Sequence, residues 1–103
     1  MKKIFIEDDL PVAIELERDE KKIKCNKFVI SDLTALEYVE AQSKATGVQY
    51  VAISDLVAMI KLIDSKGNQY EPTYDDIALT TQFNLTHFFS KKAELEAKVK
   101  AAN

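Results

Sequence analysis

Few side chains in this sequence could do chemistry, and their spacing decides what each could do. His87 is the only histidine and Cys25 the only cysteine. A zinc site needs several His, Cys or carboxylate ligands at close spacing, and neither residue has such a cluster around it. Ser90 lies three residues after His87, but no third residue is marked to orient a nucleophile–base pair. We therefore predict a helix-surface or interface role for His87 and a small apolar filling role for Cys25.

Two groups of carboxylates are the next residues that could bind a ligand or transfer a proton. Glu71, Asp75 and Asp76 are close in sequence, but a calcium loop needs alternating oxygen ligands around a glycine, which this segment lacks. These acids instead come where a helix is predicted to begin, and the helix dipole favours negative charge there. Residues 7–9 are three more acids, which we interpret as solvated. The sequence leaves open a carboxylate pair for glycoside hydrolysis.

The composition of the chain limits the classes of protein to which it can belong. The chain has 103 residues, 47% hydrophobic and 30% charged, with two glycines and two prolines, which is typical of one soluble globular domain. The net charge of −3 and the scattered lysines disfavour nucleic acid as a ligand. A single cysteine excludes an internal disulfide and favours a reducing compartment. The start does not resemble a signal peptide, and no stretch is long enough to cross a bilayer.

The isolated glycines also form no phosphate-binding loop. We therefore predict no catalytic residue, no cofactor and no metal, and a protein that is not an enzyme. Its function must then depend on its surfaces.

The N-terminal third is predicted to be extended. Apolar and polar residues alternate over 12–17, which is the period of a half-buried strand. A charged turn and a second apolar stretch follow, so residues 12–30 are predicted to form a β-hairpin of two or three short strands, with a bulge or turn at Asn26. Residues 1–11 are predicted either to be a mobile start or to add an edge strand, since Pro11 lacks a donor for a central ladder.

Helices are predicted to follow the hairpin. Thr34 and Glu37 have the spacing of a capping box, which begins a helix that runs to about Thr46 and ends at Gly47 in the left-handed conformation. The stretch 54–64 is apolar around most of its circumference when drawn as a helix. This pattern predicts a central helix that other elements cover on several sides.

Two further helices complete the predicted fold. One begins at residues 73–76, again with capping spacing, and the last is capped by Asn84. Residues 91–103 form a charged helical tail that is expected to project or fray. The predicted fold class is thus α+β: a single domain over 1–103, with an N-terminal β-hairpin followed by a small bundle of about four helices.

Candidate binding residues follow from this arrangement. Most of the central helix is expected to be core, covered on one side by Leu36 and Val39 of the first helix. Aromatic side chains in a loop make good interface anchors, and two tyrosines flank Pro72. The residues predicted to bind a partner are Tyr70, Tyr74, Phe88, Phe89, Leu95 and Val99. The residues predicted to contact a second copy are Met59 and Leu62.

Three segments resemble a known family. They are residues 29–42 (VISDLTALEYVEAQ), 55–63 (DLVAMIKLI) and 75–85 (DDIALTTQFNL). In this order they resemble the small tail assembly chaperones of long-tailed bacteriophages, including the Mu-like group. Two positions depart from the family: residues 48–53 lack its usual Leu/Ala-rich helix end, and Asn84 stands where such sequences often carry an acid.

The resemblance implies a non-enzymatic, often oligomeric protein in the cytoplasm of a bacterial host. Such chaperones coat the helical tape-measure protein before the tail tube polymerises around it. A long amphipathic helix needs apolar cover, and binding of a helix in a groove supplies it. Two alternatives stay open. One is a structural head–tail connector or minor tail protein, and the other is a small regulatory binding module such as an antitoxin.

Overall fold

The computed structural model of the chain describes residues 3–45 and 47–102. It confirms the predicted α+β class: a long N-terminal hairpin begins one antiparallel sheet of order β1-β2-β3-β4, and helices follow the hairpin. The strands of the described residues are β1 (Phe5–Arg18), β2 (Lys21–Ser31), β3 (Ile60–Asp64) and β4 (Gln69–Tyr70). The helices are α1 (Ala35–Lys44), α2 (Val51–Met59), α3 (Tyr74–Ala78) and α4 (Gln82–Ala101).

The β1–β2 hairpin closes through a two-residue turn. Arg18 pairs with Lys21, so Asp19 and Glu20 alone make the connection. Both have positive φ, 52° and 64°. This is the backbone of the tight hairpin turns whose twist matches the strands, and glycine or asparagine usually occupies it. Two acidic residues with a Cβ therefore hold a conformation that costs free energy here.

The first strand begins seven residues before the hairpin predicted over 12–30, and it is irregular in the middle. Residues 5–10 therefore lie on the sheet edge. Its pairing with β2 runs regularly to Asp9, shifts, and resumes at Ile14. Pro11 falls within the shifted segment. Because the regular ladder is interrupted there, the N–H that proline lacks is not needed for strand pairing.

A side chain of α4 satisfies the backbone at this irregularity. The Val12 N–H donates to Asn84 Oδ1 at 2.9 Å, and Asn84 Nδ2 donates to the Val12 carbonyl at 2.8 Å and to Thr80 Oγ1 at 2.9 Å. Asn84 is fully buried. The prediction that Asn84 caps the last helix is wrong, because Thr81 Oγ1 accepts from the N–H groups of Phe83 and Asn84 and is the cap.

The predicted central helix over 54–64 is also wrong in its second half. Helix α2 ends at Met59, and Ile60 begins strand β3, which pairs with β2 through Ile30↔Ile60 and Phe28↔Leu62. A short apolar run does not distinguish a buried helix from a buried strand. Ile60 and Leu62 enter the core while Lys61 between them is exposed, which is the period of a strand.

The predicted capping boxes are confirmed at α1 and α3. Thr34 and Glu37 exchange hydrogen bonds at the start of α1, and Thr73 and Asp76 do so at α3. Helix α1 ends at Lys44, and its C-cap Ala45 is extended, so the helix does not continue to a left-handed glycine. Thr46, the predicted last helical residue, lies outside the described residues.

The core lies between one face of the sheet and the helices. Phe28 of β2 and Phe88 of α4 meet edge to face, with ring centroids 4.9 Å apart. Leu56, Ile77 and Leu95 add α2, α3 and the second half of α4 to the same core. Because Leu95 is buried, the stretch predicted as a projecting or frayed tail is packed on the domain at this residue. Over the described residues, no helix is long and apolar enough to cross a membrane.

We expect Asn84→Asp to lower the free energy of unfolding by about 2 kcal/mol or more, because a carboxylate cannot donate to the Val12 carbonyl and would be buried against it. Urea unfolding at neutral pH measures this. Gln82→Glu adds the same charge at an exposed position of α4 and should change stability by no more than about 0.5 kcal/mol. Equal effects of the two variants would contradict a special role for Asn84.

We expect the double variant Asp19→Asn/Glu20→Gly to raise the free energy of unfolding by about 1 kcal/mol, because both new residues tolerate positive φ. Thermal and urea unfolding check the sign. Glu17→Gly, in regular β1, should destabilise instead. Destabilisation by the turn variant would show that its present residues carry no strain.

Candidate functional site

His87 takes part in an ion cluster that joins the first half of β1 to α4. Its Nε2 lies 2.8 Å from Asp8 Oδ2, and Lys91 Nζ lies 3.5 Å from the same oxygen. The imidazole and the Phe28 ring also meet edge to face, with ring centroids 5.8 Å apart. The backbone N–H of Asp9, and then the His87 ring, lower the pKa of the Asp8 carboxyl. The cluster therefore links β1 to α4, which is a structural role for a histidine on the surface of a helix.

Cys25 and Asp76, which were also considered for chemistry, are engaged in structure as well. Cys25 is fully buried in the core, where burial, followed by the charge of Asp64, raises the pKa of its thiol to about 11. It is the apolar filler that the sequence predicts. Asp76 accepts from the Thr73 N–H and pairs with Arg18 at 2.9 Å. Within 3–45 and 47–102, no three His, Cys, Asp or Glu side chains cluster closely enough to hold a metal ion.

The predicted partner-binding face of α4 is wrong for two of its four residues. Phe88 and Leu95 are buried in the core, with 0% and 1% of their surface exposed, and cannot meet a partner. Val99 is half-buried and packs against the same core. Phe89 remains exposed at 38%. A stripe at helical spacing predicts one apolar face, and here the sheet covers that face.

The two tyrosines predicted as loop anchors point to different places. Tyr70 donates from its hydroxyl to Asp64 Oδ2 at 2.9 Å, which fixes the turn between β3 and β4, and its ring packs against the core. Tyr74, in the first turn of α3, accepts at 2.9 Å from the Tyr50 N–H, where α2 begins. Only Tyr74 lines a groove on the surface.

The predicted contacts between copies also change. Leu62 is fully buried in strand β3 of its own sheet, so the prediction that it meets a second copy is wrong. Met59 is half-buried and packs against the core at the last residue of α2.

The exposed apolar surface is concentrated on α1 and at the start of α2. Helix α1 buries no residue, and Leu36 and Val39 are 67% and 60% exposed, so the expectation that they cover the central helix is wrong. Six of the eleven large hydrophobic residues that are exposed in the described chain lie in this region, which places most of that surface on one helical hairpin. They are Leu36, Tyr38, Val39, Val48, Tyr50 and Val51. We call this set the α1–α2 surface.

Beside this surface lies an open groove of about 460 Å³, which we call the α1–α2 groove. Helices α1 and α2 and strand β3 contribute most of its lining, and residues just outside these elements and at the start of α3 contribute the rest. Its apolar lining consists of Leu33, Ala41, Ala45, Val57, Ala58, Ile60 and Pro72, together with the ring of Tyr74. The volume is in the range of ligand-binding clefts.

Charged groups of both signs also line the α1–α2 groove. Glu37 is held by Lys3 and by its capping box, and these contacts lower its pKa to about 2. The other charged residues of the lining are Glu40, Lys44, Lys61 and Glu71. The lining of the groove therefore combines apolar side chains with charged groups of both signs.

Comparison with protein-family models, with curated proteins and with solved structures finds no significant match to this chain. A function for it must be argued from its own surfaces.

The sequence did contain a signal for the α1–α2 surface. In α1, Leu36 and Val39 are three residues apart and lie on one ridge, and three more large apolar residues follow between 48 and 51. The prediction that the α1 ridge lies in the core follows from a central helix over 54–64 that needs apolar cover. Once residues 60–64 join the sheet, that need disappears, and α1 keeps its ridge exposed.

We expect Asp8→Asn to lower stability at neutral pH, and the deficit to shrink as pH falls below about 4. The folded state lowers the pKa of Asp8, so its stabilisation is present above the unfolded pKa and is lost as pH falls through the folded pKa. Urea unfolding at several pH values measures this. Asp9→Asn removes a neighbouring charge outside the cluster and serves as the control. A deficit that does not change with pH would contradict the assignment.

Proposed function

We propose that this chain is a non-enzymatic phage tail assembly chaperone that binds an amphipathic helix of the tape-measure protein on its α1–α2 surface. The observation that carries the proposal is α1 itself, a ten-residue helix that buries none of its residues and exposes Leu36 and Val39. Monomeric soluble proteins rarely leave contiguous apolar surface uncovered, and such surfaces commonly mark interfaces.

The architecture supports a role in binding and covering a partner helix. The sheet, α2, α3 and α4 build the core, and α1 is attached mainly to α2. A helical hairpin attached at one side can receive a third helix without disturbing the core. An amphipathic helix laid on it would gain cover for its own apolar stripe, as in other complexes where a helix binds a groove.

The side chains that could take part in catalysis support the non-enzymatic part of the proposal. The His87 ring is paired with Asp8, the Cys25 thiol is buried with a raised pKa, and Asp76 is paired with Arg18. None of these groups lines the α1–α2 groove.

The phage assignment rests on the resemblance of residues 29–42, 55–63 and 75–85 to the tail assembly chaperones. The first of these segments contains most of α1, and the second contains most of α2. Two of the three segments that carry the resemblance therefore overlap α1 and α2, and the third runs from α3 into α4. The mild net charge of −3 suits a protein partner better than nucleic acid.

The experiment is co-expression with the tape-measure protein of the same phage or prophage. We expect the wild-type chain to raise the soluble yield of that protein and to co-purify with it. The double variant Leu36→Ser/Val39→Ser should lose both effects, while its own free energy of unfolding changes by no more than about 0.5 kcal/mol, because both side chains are exposed.

A matched control is Leu79→Ser/Phe83→Ser, which removes an equally exposed apolar pair from the α3–α4 region. This variant should keep wild-type activity. If the wild-type chain neither solubilises nor binds the tape-measure protein, the proposal is wrong. Mass spectrometry of purified virions then identifies a structural connector, which would be incorporated in the particle. A salt-dependent DNA shift would identify a regulator.

A further inference from the structure

The first half of β1 is an open edge of the sheet, because β1 has a neighbouring strand on one side only. The Asp32 N–H donates to the Ile4 carbonyl at 3.0 Å, and this pair continues the register in which Phe5 lies opposite Ser31. Backbone groups alternate in direction along an antiparallel strand, so the N–H and C=O groups of Phe5 and Glu7 point away from β2. These groups are available to another strand. We call residues 5–9 the β1 edge.

The β1 edge has a defined end and is fastened to the domain. The Asp9 N–H donates to Asp8 Oδ1 at 2.9 Å, and both backbone groups of Val12 are bonded to Asn84. Asp8 Oδ2 lies 2.8 Å from His87 Nε2, which links this half of the strand to α4. The backbone that is open to pairing therefore ends at the Asp9 carbonyl, and it is already held in the extended conformation that a docking strand needs.

The β1 edge carries one aromatic and two acidic side chains on the face of the sheet that is turned away from the core. Phe5, Glu7 and Asp9 are exposed and alternate with core-facing residues. Phe5 is 60% exposed. Glu7 and Asp9 form no ion pair with any other described residue, although Lys27 lies opposite Asp9 in β2.

These side chains determine what kind of strand fits. A docking strand places its own side chains directly beside them on the same face of the sheet. A β-branched residue beside Phe5 and a lysine beside each of Glu7 and Asp9 would form one aromatic contact and two pairs of opposite charge. A second copy of β1 does not fit, because its carboxylates would lie against these carboxylates.

We infer that the β1 edge binds an extended basic segment of a partner protein, which joins the sheet as a further antiparallel strand. The antiparallel direction is that of every other pair in this sheet, and it is the more stable direction per residue. Such strand addition takes affinity from backbone hydrogen bonds and specificity from alternate side chains. The inference goes beyond the proposed function, because the β1 edge shares no residue with the α1–α2 surface.

A synthetic peptide of sequence Thr-Lys-Thr-Lys-Thr-Val-Thr, blocked at both ends, tests the inference. Paired antiparallel, it places its valine beside Phe5 and its lysines beside Glu7 and Asp9. We expect an NMR titration up to about 1 mM peptide to shift the amide signals of Phe5 and Glu7, and we expect hydrogen exchange at these two N–H groups to slow. Absence of both effects would overturn the inference.

Two methylated forms of the peptide test whether the backbone pairs. N-methylation of the valine and of the second lysine removes the N–H groups that meet Phe5 and Glu7, and should weaken binding at least about tenfold. N-methylation of the two threonines that flank the second lysine keeps the charge, and alters only N–H groups that point away from the protein. This form should bind within about twofold of the unmodified peptide. Equal weakening by both modifications would contradict strand addition.

A double variant tests the charge requirement. Glu7→Gln/Asp9→Asn should weaken binding of the unmodified peptide about fivefold, because it removes both opposite-charge pairs. The matched control Glu17→Gln/Glu96→Gln removes the same charge at two exposed positions outside the β1 edge, and should leave binding within about twofold. Equal effects of the two variants would show attraction to net charge alone and would overturn the assigned site.

The surface variant Leu36→Ser/Val39→Ser separates this inference from the proposed function. It should lose the tape-measure protein and still bind the peptide, so either result can fail while the other stands. Loss of peptide binding in this variant would overturn the inference, because the peptide would then occupy the α1–α2 surface. A dimer of the free chain that protects the Phe5 and Glu7 amides would also overturn it, because the β1 edge would then hold a second copy.

Discussion

The pair of hydrogen bonds between Asn84 and the backbone of Val12 is the constraint on which the rest of the structure depends. Pro11 and the register shift leave Val12 without its regular place in the β1–β2 ladder, and an unpaired buried backbone group would be costly. Asn84 provides an acceptor and a donor at once, and its second amide hydrogen reaches Thr80. One side chain thereby fixes where α4 lies along β1. The Phe28–Phe88 contact and the burial of Leu95 follow from that position.

This anchoring divides the domain into two parts with different physical demands. The hairpin, β3, α2, α3 and α4 bury the large apolar side chains and need no help to do so. Helix α1 has its capping box and its contacts with α2 but no buried residue. Its stability therefore depends on local interactions more than on packing, and short helices of this kind are marginal on their own. A part that is only partly packed can accept a partner helix at low cost to the fold.

The sequence predicted those features that are decided within a few residues. The boxes Thr34–Glu37 and Thr73–Asp76 are local chemistry, and the alternation after Pro11 marks a strand wherever the chain runs. The change from helix to strand at Ile60 was not predictable in the same way, because it depends on pairing with Phe28 and Ile30, about thirty residues earlier. The residues of the candidate site were likewise predictable only where the signal was local. Tyr74 was predicted and lines the groove, whereas Phe88 and Leu95 were misassigned, because no local signal says which apolar stripe the sheet will cover.

The irregular edge strand also bears on how the protein behaves at high concentration. β1 is fourteen residues long and lies at the edge of the sheet, which is a template for aggregation between copies. Pro11 and the register shift interrupt that edge in the middle, so no long flat ladder is presented. The strand also carries five carboxylates against one arginine, so two copies aligned edge to edge would bring like charges together. The same segment that fastens the core thus discourages the sheet from growing into fibres.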